Sequence, residues 1–493
     1  MRKLLSRTDK PSLLRTVWVL DRARYDPDFV QPSGYNFPPE ALTPEYGNAH
    51  AIYPWELETL LTELLYVRGN RGQRIANARS WALIATTANC IRTIEDAEYA
   101  LFAEEGQILR EMSRIGYRQF RWQPQNWDGA EYVRWWSIFR GTDLSRIFER
   151  LMGVSVDKIL SVGITWNHLF NSQMQTERIQ ISDHPNISQQ DVDTVMHLLS
   201  APIDELEESS REVIAQGGST AYRRGVLRRT PIIRNMSNGI TSYMRPMELL
   251  LKWRISSGLY YDVIGDREVR DRNLIGIAFE QYIRDLFAAK FINCTIVGDL
   301  TYGSAARPRR TPDVLVCQGN IVRLVIECKA IKLPLPVQTT LGDTPERSRV
   351  IEDIARGIKQ VCEFDFRLSN EIPELDLQYP DDLLNVVVTL DDWVFLGHDV
   401  KRDIVDRARV LLDADELSDA ASAVGRTILC NADEIEKLLT IYTPEGVFDL
   451  LRNSLSDEHH ASPLGAVMST HRAGRMTQTR NPLADRVHEF LRV

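Results

Sequence analysis

Residues 311–329, TPDVLVCQGNIVRLVIECK, constrain this chain more than any other stretch. Two β-type runs, 312–316 and 321–327, flank the polar turn Gln318-Gly319-Asn320. Gly and Asn tolerate the backbone angles of a tight hairpin. Side chains alternate faces along a strand, so Glu327 and Lys329 share a face while Cys328 points away. Asp313, at the start of the partner run, is expected beside Glu327. Two carboxylates and an ammonium at the end of an apolar hairpin are costly to bury, and a divalent metal between the carboxylates would offset that cost.

The rest of the chain sets limits on what such a site can be. A length of 493 residues suits two to four domains. Apolar and charged contents of 43% and 26% are those of a globular protein. A net charge of -9 offers no global attraction to phosphate backbones, so nucleic acid would have to meet local basic patches. The six cysteines show no paired metal or redox spacing and are expected reduced, in a cytoplasmic protein. No run approaches the roughly 20 apolar residues of a membrane span, so no membrane partner is expected. Walker, GxSxG and HExxH motifs are absent.

The expected organisation is α+β and multidomain. Residues 1–50 are expected as an irregular arm and 51–262 as a mostly helical domain for recognition or partner binding. An α/β core with a mixed central sheet is expected at 265–440, and a partly polar helical tail at 441–493. Within the core the pattern is helix 271–287, strands 291–297, 312–316 and 321–327, a loop over 333–349, helix 350–366, and strand 384–390. Residues 392–396 could add a strand, and 427–430 a short one. In the first half, residues 238–261 are expected as a helix and hinge. The tryptophans Trp122, Trp127, Trp135 and Trp136 could stack bases or pack between helices, the latter being the commoner arrangement. Arg223, Arg224, Arg228, Arg229 and Arg234 could grip phosphates or form a solvated helix face answering the acidic helix before them.

The order Glu280, Asp313, Glu327, Lys329 resembles the PD-(D/E)XK nuclease superfamily, which has the restriction-endonuclease-like fold. Pro312-Asp313 and Glu327-Cys328-Lys329 carry the resemblance, which covers residues 270–395 only. Lysine is rare here, ten of the 59 Lys and Arg residues, and acid-x-Lys occurs only at Glu327-x-Lys329 and Asp399-x-Lys401. The resemblance implies a Mg²⁺-dependent endonuclease, with Mn²⁺ as a substitute. It implies Asp313, Glu327 and Lys329 as catalytic residues, with Asp313, Glu327, the Cys328 carbonyl and Glu280 as metal ligands. Lys359 and Gln360 stand where members often carry Lys or Gln on the following helix. Arg307, Arg309 and Arg310, just before Pro312, are placed to contact phosphates. The expected partner is nucleic acid, DNA over RNA. A homodimer would supply a site for each strand of a duplex, and a regulatory protein partner could hold the enzyme inactive. By analogy, the role is bacterial defence against foreign DNA. The rival expectation is a catalytically silent scaffold binding nucleic acid or protein.

Overall fold

The computed structural model describes residues 1–42, 47, 50–69, 76–102, 108–122, 129–140, 143–181, 185–332, 344–391, 397–459, 462–471 and 480–491. The irregular arm expected over residues 1–50 is instead helical in its first half, with helices Arg2–Leu5 and Lys10–Tyr25, and irregular over residues 26–38. Asp9 caps the second by accepting the Ser12 N–H at 3.0 Å, and Pro11 sits in its first turn. Leu13, Leu14, Val17 and Val19 are buried in the same core as Leu57, Leu61 and Leu64 of helix Pro54–Tyr66.

Helices dominate as far as Ala215, but a small sheet interrupts them. It consists of β1 (Gln175–Glu177), β2 (Ser200–Pro202), β3 (Ile232–Ser237) and β4 (Ile240–Met244), in the order β1-β4-β3-β2. Asn238 and Gly239 join β3 to β4 at φ 51° and 78°, the positive values a two-residue hairpin turn needs. The helix-and-hinge expectation for 238–261 therefore fails at its start; helices begin only at Glu248–Arg254 and Leu259–Val263.

The arginine-rich stretch is not a solvated helix face. Arg228 grips Glu58 with two bonds of 2.5 and 2.7 Å, Arg223 lies 3.5 Å from Glu63, and Arg234 is on β3. Trp122, Trp135 and Trp136 are core residues; Trp127 lies outside the described residues.

The second half opens with helix Leu274–Lys290. Then come β5 (Thr295–Val297), β6 (Thr301–Tyr302), β7 (Arg309–Arg310), β8 (Val314–Gln318) and β9 (Ile321–Lys329). Helix Pro345–Ser369, β10 (Leu384–Thr389), helix Gly397–Ala414 and β11 (Thr427–Asn431) follow. Five strands form a mixed sheet in the order β11-β10-β9-β8-β5. β5, β8 and β9 run antiparallel as a meander, whereas β9, β10 and β11 are parallel. Gly319, at φ 65°, and Asn320 make the β8–β9 turn. All six residues of β10 are buried, as befits a parallel strand covered on both faces. The helix expected at 350–366 starts earlier, at Pro345, because Thr344 caps it by accepting the Arg347 N–H at 3.1 Å. The strand expected at 392–396 lies outside the described residues.

Leu324, Ile326 and Cys328 face one core with Phe279 and Ile283 of helix Leu274–Lys290. Val325 and Val387 face another, with Ile354, Ile358 and Val361 of helix Pro345–Ser369. The first of these cores also holds Trp135, Phe148, Phe170 and Leu259 from the first half and Leu450 and Val467 from the tail. Apolar packing is therefore continuous across residue 265. No described helix is long and apolar enough to cross a membrane.

Candidate active site

The hairpin register sets the site. Val314 pairs with Ile326 across the antiparallel ladder, which brings Asp313 opposite Glu327. One Asp313 carboxylate oxygen, Oδ2, accepts the backbone N–H of Cys328 at 2.7 Å. The Asp313 carbonyl accepts from Arg284 Nη2 at 3.0 Å. Gly298, just after β5, lies against that carbonyl. A Cβ there would stand 1.9 Å from the Asp313 oxygen, so only glycine fits.

Glu327 is 2% exposed. Its Oε1 accepts from Lys329 Nζ at 2.8 Å, while its Oε2 is buried without a hydrogen-bond partner. Lys329 Nζ also donates to Gln360 Oε1 at 2.7 Å, from helix Pro345–Ser369. That helix comes close at Gly357, where a Cβ would be 2.9 Å from Lys329 Cε and 3.2 Å from Val387 Cγ1. Cys328 turns its side chain to the opposite core, and burial raises its thiol pKa well above the ordinary value. Its sulfur is therefore no ligand, and only its main chain could serve.

The electrostatics follow from crowding. Burial, and then the Asp313 carboxylate, push the Glu280 pKa up to about 7. Burial and Asp313 likewise raise the pKa of Glu327. Burial also raises Asp313, against the pull of the Cys328 N–H and of Lys329. The Lys329 ammonium, and the Arg284 guanidinium that pulls Asp313 and Glu280 down, do not offset the burial of the three carboxylates at this end of the sheet.

Asp313 and Glu327 are the residues that could hold a divalent cation; Glu280 acts on Glu327 through its charge. The donors are hard oxygens and one buried oxygen lacks a partner, which suits an ion such as Mg²⁺ that keeps several waters. Among the described residues, no three His, Cys, Asp or Glu side chains are grouped to bind a metal by themselves; a site here would rest on two carboxylates plus water and main chain.

The flanking candidates separate. Gln360 joins the site, whereas Lys359, one residue earlier, pairs with Asp415. Arg309 pairs with Glu363, and Arg310 with Asp299 at 2.9 Å. Arg307 is exposed. Asp399-Val400-Lys401, the other acid-x-Lys, lies on helix Gly397–Ala414 and not on a strand. Sequence reasoning did not single out Arg284 as a partner of Asp313, or Gly298 and Gly357 as the points of close approach. Comparison with protein-family models, curated proteins and solved structures finds no match to this chain.

Proposed function

We propose that this protein is a metal-dependent nuclease of the PD-(D/E)XK kind, hydrolysing phosphodiester bonds of nucleic acid, with DNA the expected substrate. The observation that carries the reading is the fully buried Glu327 carboxylate, with one oxygen on Lys329 and the other unpartnered, beside Asp313. A structural ion pair would satisfy both oxygens; a half-satisfied carboxylate next to a second one suits a cation.

Asp313 and Glu327 would hold Mg²⁺, with Glu280 and the Cys328 main chain completing its surroundings. When bound, the ion lowers the pKa of a water and neutralises charge developing on the scissile phosphate. Lys329 is positioned by Gln360 and by the close packing at Gly357 to orient a water or exchange a proton with it. Gly298 and Arg284 fix the Asp313 main chain, and with it the aim of its carboxylate. Arg307, exposed on the loop before β7, is available to a neighbouring phosphate. A role in bacterial defence, with a second copy cutting the other strand of a duplex, is the biological setting proposed.

The test is cleavage of plasmid, linear duplex, single-stranded DNA and RNA with Mg²⁺, Mn²⁺ or EDTA, for wild type and Lys329→Ala. Metal-dependent cutting that the variant lacks supports the reading. If wild type and variant degrade substrate alike, the activity belongs elsewhere. A silent scaffold would bind nucleic acid equally well with Asp313, Glu327 or Lys329 replaced.

A further inference from the structure

Two histidines meet in the last part of the chain. His459 follows helix Pro444–Ser454, and His471 ends helix Leu464–Thr470. Their Nε2 atoms lie 3.1 Å apart, with the ring planes at 85° and the ring centres separated by 5.2 Å. Asn453 Nδ2, from the last turn of helix Pro444–Ser454, touches the same His471 Nε2. Three polar groups thus converge on one spot.

The main chain holds them there. The His459 N–H donates to the Ser456 carbonyl at 2.9 Å, and its carbonyl accepts from the Ser462 N–H at 2.7 Å. The His471 N–H donates to the Val467 carbonyl at 3.0 Å, and its carbonyl accepts from the Tyr442 hydroxyl at 3.1 Å. Tyr442, Leu464 and Val467 are buried in the same core as Leu450 of helix Pro444–Ser454. The rings face outward from this support: His471 is exposed and His459 half-buried, so an ion in solution can reach both.

Hydrogen bonding at this spot does not close. An imidazole nitrogen offers either one proton or one lone pair in the ring plane. His471 Nε2 can therefore serve one partner, and it meets two, His459 and Asn453. A shared cation removes the conflict. Each ring then gives its lone pair to the ion, and the Asn453 amide, turned by 180°, presents its oxygen in place of its nitrogen.

We infer that His459 and His471 form a binding site for Zn²⁺, with the Asn453 amide oxygen as a third donor and water completing the shell. Two Zn–N bonds of about 2.0–2.1 Å at a tetrahedral angle set their nitrogens about 3.3–3.4 Å apart. The two rings need to spread only slightly from their 3.1 Å separation to reach it. Among the described residues no third His, Cys, Asp or Glu side chain joins the pair; the neighbouring His460 lies outside them. Imidazole donors favour zinc over Mg²⁺, whereas the carboxylates of Asp313 and Glu327 favour the hard ion. The site is therefore a second centre of different chemistry, and it does not rest on the proposed nuclease function. Bound zinc would close the chain between residues 459 and 471 and tie the Leu464–Thr470 helix to helix Pro444–Ser454. An ion held by the folded form alone stabilises it.

The test is calorimetric titration of Zn²⁺ into the full chain, paired with thermal melts. It compares wild type, His459→Gln, His471→Gln, Asn453→Asp and Asp313→Asn, each checked for folding by circular dichroism. Either histidine replacement should weaken zinc binding at least about tenfold, the least that loss of a group behind a metal ligand costs, and should remove the rise in melting temperature that zinc gives. Asn453→Asp, which puts a carboxylate at the same spot, should tighten binding, a gain that misfolding cannot mimic. Asp313→Asn should keep this zinc, and excess Mg²⁺ should not displace it. A wild type that binds no zinc, or both histidine variants binding it as the wild type does, would overturn the site and leave the nuclease reading untouched.

Discussion

Glu327 and Lys329, two residues apart on β9, project to the same side of the sheet and meet at 2.8 Å, while the second Glu327 oxygen has no partner. A buried carboxylate so arranged is unstable without its lysine. Lys329→Ala should therefore destabilise the metal-free protein by about 1–3 kcal/mol near neutral pH, where burial keeps Glu327 protonated and the loss is that of its hydrogen-bond partner, and by more at alkaline pH, where Glu327 ionises. The replacement should also abolish cutting. Urea denaturation in EDTA measures the first effect and a cleavage assay the second. Lys329→Ala combined with Glu327→Gln should recover much of the stability and none of the activity.

Stability of the metal-free protein should fall with rising pH. The sign follows from the raised carboxylates. Glu280, near 7, and Glu327 hold protons in the folded state that they release in the unfolded chain. Their contribution is fully present below the ordinary carboxylate range and is lost as pH rises through their folded values. Asp21, raised to about 7 by burial, adds a background of the same sign. The slope specific to the site is thus the part that Glu327→Gln removes. Thermal melts between pH 5 and about 8.5, with and without Mn²⁺, measure it; metal should restore stability mainly at the alkaline end.

Gly357→Ala should lower activity more than stability. The added methyl meets Lys329 Cε at 2.9 Å, the far part of a flexible side chain, so the cost is about 1–3 kcal/mol of overpacking. Displacing the ammonium should cost a larger share of the rate, about 10²-fold for a misplacement near 1 Å. Gly298→Ala differs in kind, because its Cβ would meet the rigid Asp313 carbonyl at 1.9 Å. It should fail to fold or should unfold well below the wild-type midpoint. Single-turnover kinetics and melting curves distinguish the two variants.

Residues 265–493 expressed alone should not form a stable domain. Their core includes Trp135, Phe148, Phe170 and Leu259 from the first half, and each buried large side chain contributes about 1.5–3 kcal/mol. Loss of a cooperative thermal transition in the fragment is the expected result.

The hairpin, and the meeting of Glu327 with Lys329 beside Asp313, were legible because alternation and turn residues are local signals. So was the helix-strand-strand-strand-helix-strand order around them, since each element carries its own periodicity. Three local signals were present and misread. Asp9 with Pro11 marked the Lys10–Tyr25 helix, Asn238-Gly239 marked the β3–β4 turn, and Thr344-Pro345 marked the start of the Pro345–Ser369 helix. Other features were not legible at all. Arg284 at Asp313, Gly298 at its carbonyl and Gly357 at Lys329 are close approaches between elements far apart in sequence. The partners of Arg223 and Arg228 are Glu63 and Glu58, on a helix more than 150 residues earlier.

The most direct test of the central claim is calorimetric titration of Mn²⁺ into the metal-free protein, wild type against Asp313→Asn and Glu327→Gln. Binding by the wild type is expected, and either replacement should weaken it at least tenfold, about 1.4 kcal/mol, with folding intact. Wild type that binds no divalent ion, or both variants binding as the wild type does, would contradict it.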